Sequence, residues 1–167
     1  PYTLRTELDD ARKELNPDDY DANDPMWPEQ AKSADWSGII RTTRKALTET
    51  SKDLMLGARL TEALTKSHGF AGLRDGLQLL DGFLEQCWDR IHPTIEDGDL
   101  EVRAAAFNWL DDPDRGARFP FTVRSVPMVS GAEGRFVYNQ WRQSPEGRGG
   151  TKLEDFERGV ERSVIHI

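Results

Sequence analysis

A chain of 167 residues, 37% hydrophobic and 31% charged, has the size and composition of one globular domain, able to bury roughly two-thirds of its unfolded surface. Its net charge of −8 disfavours nucleic acid and anionic membranes as partners, and no apolar run reaches the ~20 residues that span a bilayer. The lone cysteine, Cys87, excludes an internal disulfide framework and fits a reducing cytoplasm, as does an opening segment, PYTLRTELDD, without the basic start and apolar core of a signal peptide.

Thr3 to Leu15 is expected to form a first helix, closed by Asn16-Pro17. Residues 17–34 hold three prolines and four aspartates and read as a loop. Asp19, Asp21 and Asn23 imitate the start of a calcium loop. Asp24 and Gln30 stand where that loop needs glycine and glutamate, so a solvated acidic loop is the better account. Asp35 is placed to cap a second helix, in which Trp36, Ile40, Thr43 and Leu47 line one face with Ile39 and Ala46 beside them. Ser51 is expected to cap a third, with Asp53 in its first turn and Leu56, Leu60, Ala63 and Leu64 facing a partner.

Gly69 should break the chain into a fourth helix, in which Phe70, Leu73, Leu77, Leu80, Leu84, Cys87 and Ile91 recur at three- and four-residue steps as an apolar stripe. Its ending, Trp88-Asp89-x-x-His92-Pro93, stops the helix because proline lacks an amide hydrogen and restrains the residue before it. Gly72, Gly76 and Gly82 each cost about 1 kcal/mol relative to alanine in a helix, which points to close packing against another backbone and not to a phosphate loop. A fifth helix, capped by Asp99 and carrying Leu100, Ala104, Phe107 and Leu110, should end at Pro113.

Residues 118–129 and 135–141 are β-branched and aromatic around a Gly-rich turn and suggest a hairpin, with Pro120 and Pro127 confining it to an edge or an irregular pair. After a 143–150 loop, Thr151 and Glu154 form a capping box for a last helix over 151–165, with Leu153, Phe156, Val160 and Val164 on one side. The fold class that emerges is mainly α: a compact helical bundle with a small β-hairpin near the C-terminal end.

Reactive chemistry finds little support. His68, His92 and His166 make no close-spaced pair, and Cys87 lies on the apolar stripe, so no metal, cofactor or catalytic triad is expected. Glu96, Asp97 and Asp99 cluster before a helix start, where capping explains them. Trp36, Trp88 and Trp109 fall at core spacing, and Trp27 and Trp141 in irregular segments. Residues 1–114 carry 24 acidic against 13 basic side chains, net −11, while residues 115–167 carry 6 against 9, net +3. The basic part could meet an acidic protein surface, although a solvated face also accounts for it. Trp141, Arg142 and Arg135 are the candidate partner-binding residues, because aromatic and arginine side chains dominate interface energetics.

Several segments together resemble the ImpA-related N-terminal domain of the TssA family of type VI secretion systems. These are Asp35-Trp36, Ser51-Lys52-Asp53-Leu54, Gly69-x-x-Gly72-Leu73-x-x-Gly76-Leu77, Trp88-Asp89-x-x-His92-Pro93, and Arg103 and Leu110 beyond the Asp97-Gly98-Asp99 turn. The resemblance covers residues 16–112 and leaves 113–150 as an extended excursion and 151–165 as a terminal helix of one domain, 1–167. Met55 stands where relatives often carry arginine. The resemblance implies a non-enzymatic part whose shared residues cap and pack helices: Asp35, Trp36 and Asp53 at helix starts, Gly72 and Gly76 at a crossing, Trp88, His92 and Pro93 at a helix end. It implies partners among baseplate, sheath or membrane-complex subunits, with no nucleic acid and no membrane insertion, and a ring-shaped homo-oligomer built by a separate C-terminal region of a longer protein. The rival readings are a helical adaptor with unrelated partners and a metal-dependent hydrolase using Asp97, Asp99 and His92.

Overall fold

The computed structural model describes residues 2–15, 31–114, 116–131 and 134–142. In chain order these form α1 (Tyr2–Arg12), α2 (Trp36–Glu49), α3 (Leu54–Gln86), a 3-10 turn (Trp88–Arg90), α4 (Glu101–Asp111), α5 (Phe119–Arg124), β1 (Pro127–Gly131), β2 (Gly134–Val137) and α6 (Tyr138–Arg142). The strands make an antiparallel hairpin that pairs Val129 with Phe136 and Ser130 with Arg135, irregular between Pro127 and Val129 as the proline implied. The expected last helix, 151–165, and Trp27 lie outside the described residues.

Gly69 determines the architecture. Its φ of 61° and ψ of −138° belong to a region that side chains rarely enter, and there α3 doubles back on itself. A Cβ on Gly72 would lie 2.0 Å from the Leu64 carbonyl oxygen, one on Gly76 2.7 Å from Thr61 Cα, and one on Gly57 2.9 Å from Leu80. The two halves of α3 therefore run antiparallel in backbone contact. This close crossing matches expectation for Gly72 and Gly76 but not for Gly82, which has open space around it.

The glycine contact also decides which face is buried, and the expected stripe holds only in part: Leu80, Cys87 and Ile91 are buried and Leu73 and Leu84 half-buried, but Phe70 and Leu77 are not. Gly72, Gly76, Leu80, Phe83 and Cys87 turn inward. Phe70 and Leu77 are 47% and 48% exposed, since the helices approach along the side with no side chains. α2 shows a smaller rotation, burying Gly38, Ile39, Thr43 and Leu47 and leaving Trp36 and Ile40 half-buried. On α4 the buried positions are Arg103, Ala106 and Leu110, while Leu100 is exposed. Trp88 is not core but 42% exposed.

Helix ends follow local chemistry more closely. Asp35 accepts the Gly38 amide hydrogen at 2.8 Å and caps α2. The cap of α3 is Asp53, not Ser51: its carboxylate accepts from the Leu56 amide at 2.9 Å. Asp99 accepts from the Glu101 amide, one residue outside the cap position. Leu15 lies beyond α1, where it exchanges two 2.8 Å backbone hydrogen bonds with Lys32. The stretch expected to be extended from 118 begins as a helix, because Pro120 in the first turn of α5 is pre-set for it. Residues 138–141, expected as strand continuation, are helical too, within α6.

Gly72→Ala and Gly76→Ala are each expected to cost more than about 2 kcal/mol, since the added carbon meets backbone that cannot yield. Gly82→Ala should instead stabilise by up to about 1 kcal/mol. Thermal or urea unfolding of the three variants checks this; equal effects at 76 and 82 would contradict the crossing.

Candidate docking surfaces

Where α3 begins, the Trp88–Pro93 ending of the same helix returns to hold it. The His92 amide donates to the Lys52 carbonyl at 2.7 Å, and the Leu54 amide donates to the His92 carbonyl at 2.9 Å. The His92-Pro93 peptide is cis. Arg103, 6% exposed, reaches over from α4: its Nε donates to the Pro93 carbonyl at 3.0 Å and its Nη2 to the Ile91 carbonyl at 3.1 Å. Its guanidinium lies 4.4 Å from the centre of the Trp88 ring, so the half-exposed indole serves as a lid on a buried cation. Ile91, wholly buried, pins the segment to the core. The motif residues expected at a helix end thus form one junction.

A second polar junction was not foreseen. Glu62 on α3 is 2% exposed and accepts two bonds from Arg12 Nε, at 3.0 and 2.8 Å. Arg12 Nη2 donates to the Gly116 carbonyl at 2.7 Å. Arg12 and Arg59 lie 5.2 and 5.1 Å from the Trp109 ring centre, and Arg59 pairs with Asp9 at 2.7 Å. Burial pushes the Glu62 carboxyl above its usual range, with the hydrogen bond and charge of Arg12 opposing that shift. The detectable signal was a glutamate between Thr61 and Ala63 on a helix face otherwise apolar or small.

Of two concave surfaces, the first borders these junctions through Arg59, His92 and Pro93 and the second lies at the α3 bend. A groove of about 570 Å³ runs between α1, α2, the start of α3 and the His92-Pro93 turn, lined by Leu4, Leu8, Met55, Leu56, His92 and Pro93 among others. Met55 makes part of its apolar wall. A cleft of about 460 Å³ lies at the α3 bend, between Lys66, His68 and Phe70 on one side and Thr122, Val126 and Arg135 on the other.

Of the three candidate partner-binding residues, Arg135 is exposed on β2 and lines that cleft, and Arg142 is exposed on α6. Trp141 is also on α6. The cleft partners of Arg135 escaped detection because Lys66 and His68 are far away in sequence. Among the described residues no three His, Cys, Asp or Glu side chains gather to hold a metal ion, so Asp97, Asp99 and His92 do not form the suggested hydrolase site. No helix among the described residues is long and apolar enough to cross a membrane.

The sequence profile of the ImpA N-terminal family, from type VI secretion systems, matches residues 2–112, which adds α1 to the region the motifs covered. Among solved structures, the chain is similar to the N-terminal domain, including the conserved ImpA N-terminal region, of the TssA component of the type VI secretion system from Burkholderia cenocepacia. The TM-score is 0.67 at 29% identity, over 93% of this chain and 60% of that one. The chain therefore spans less than two-thirds of that structure's length, while the shared fold extends past the last common motif. No curated protein matches the chain.

Because the folded-state pKa of Glu62 is raised, the stability tied to its proton is complete below the ordinary value of 4.5 and is lost as pH rises through the raised one. Glu62→Gln keeps an acceptor for Arg12 and cannot ionise. It should gain stability relative to the parent chain as pH climbs from about 4 to 7. Urea unfolding of both proteins across this range measures the difference, and a gap that narrows with pH would refute the assignment.

Proposed function

The chain belongs to the ImpA N-terminal family of type VI secretion, and we propose that it serves there as a non-enzymatic docking domain. Its partners on this reading are other proteins of the machine, from the baseplate, sheath or membrane complex, and its work is assembly of the contractile tail in the cytoplasm. Ring formation is assigned to a C-terminal region such as the family resemblance implies.

One contrast carries the proposal: the polar side chains of the shared motifs are spent on the chain's own backbone, while large apolar and basic side chains are left outside. Asp35 and Asp53 satisfy helix amides, and Arg103 satisfies the carbonyls of Ile91 and Pro93. Phe70, Leu77, Phe121 and Met128 are 47–51% exposed, and Phe70 lines the cleft at the α3 bend. Exposed apolar residues rimmed by polar ones mark interaction sites. We place the principal contact on the β2–α6 segment, through Arg135, Trp141 and Arg142.

Combined alanine substitution at 135, 141 and 142 should leave the melting temperature unchanged and weaken capture of purified baseplate, sheath or membrane-complex subunits by at least about tenfold. If the parent chain retains none of these subunits, the docking role fails. Retention equal to the parent's would remove these three residues from the contact.

A further inference from the structure

We propose that the cleft at the α3 bend recognises an acidic segment of a partner protein, in which carboxylates flank a large apolar side chain; this rests on the docking role above. Among the described residues its charged lining side chains are Lys66 and Arg135, with His68 beside them, and none of these lining residues carries a carboxylate. That bias stands out in a chain of net charge −8. The surrounding sequence carries it further: from Gly116 to Arg142 there are four arginines and one acid, Glu133. Phe70, 47% exposed, lies in the wall with the cations, and the combination of aromatic face and positive charge suits a segment that is both acidic and apolar.

The walls are fixed before any partner arrives. Gly69 forms the bend, and Val126 Cγ1 lies 3.1 Å from where its Cβ would be, so the α5–β1 side packs directly on the turn of α3. The ammonium of Lys66 lies 5.5 Å from the centre of the Trp36 ring, which steadies its stem. Thr122, buried, is the α5 contribution to the floor. A preformed cleft of about 460 Å³ falls within the range of specific ligand sites.

Charge range separates a protein segment from a nucleic acid. At physiological ionic strength fields decay over about 8 Å, so a short acidic segment senses the local cations and little else. An extended polyanion would also meet the acidic body, and two permanent cations in the cleft neutralise too few phosphates to hold it. The groove at the start of α3 shows no such bias, since Asp53 lines it together with Arg5 and Arg59.

The test uses labelled overlapping peptides from the baseplate, sheath and membrane-complex subunits of the same secretion system. Peptides of this chain, including the acidic turn at residues 94–102, and an RNA oligonucleotide are included as competitors. Retained peptides should be acidic. Their binding should weaken by about tenfold or more with Arg135→Glu, and separately with His68→Glu, at unchanged melting temperature. Replacing the peptide's glutamates by glutamine should have the same effect. Retention of peptides without acids, binding insensitive to both substitutions, binding of RNA alone, binding of the chain's own peptides alone, or no retention would each overturn the proposal. Whole subunits captured by a surface insensitive to both substitutions would refute the cleft and keep the docking role. Acidic peptides bound with no subunit captured would do the reverse.

Discussion

Because Gly72 and Gly76 carry no side chain, the second half of α3 lies directly against the Leu64 carbonyl and the Thr61 backbone, and the other elements are arranged around that contact. Its closeness brings Leu80 and Phe83 onto Gly57, carries Cys87 and Ile91 into the core, and returns His92 to the start of α3. Substituents at either glycine would push the halves apart and loosen the junction at their far end. The cost of glycine in a helix is offset here by the backbone packing it permits.

Two polar junctions then lock elements that apolar burial alone leaves loosely specified. Arg103 ties α4 to the turn after α3 through two carbonyls, and the Arg12–Glu62 pair ties α1 to α3 and, through Gly116, to the chain after α4. Buried ion pairs bring little net stability, because desolvation takes back much of the attraction, but misplacing one partner strands a charge. They therefore select one arrangement of helices more than they strengthen it. With the inner framework consumed in this way, the side chains left unused by it are on the outer face, where Phe70, Leu77 and the arginines of α5, β2 and α6 lie and where the proposed docking role places recognition.

Features set by a few neighbouring residues were legible from sequence: the Asp35 cap, the break at Gly69 and the irregular pairing at Pro127. The helix end expected at Pro93 falls instead at Gln86, followed by the 3-10 turn Trp88–Arg90. Features set by what a helix meets were not legible. Hydrophobic periodicity placed Phe70 and Leu77 inside, since it cannot register that two glycines four residues apart would claim the inner face. Trp88 looked like core by spacing and instead covers a cation from another helix. The segments at 118 and 138 read as extended because aromatic and β-branched residues favour strands, but Pro120 starts a helical turn and Gln140 accepts the Val137 amide hydrogen at the start of α6. Arg135 was legible as a surface candidate, whereas Lys66 and His68 required the bend that brings them to it.

Gly69 serves two masters, since the same dihedral angles that reverse α3 also shape the cleft floor against Val126. Any other residue there would disturb folding before it altered recognition. On the docking role proposed above, a change of partner falls to the rim, at positions such as 68, 70 and 135, whose side chains are exposed and can change without touching the turn.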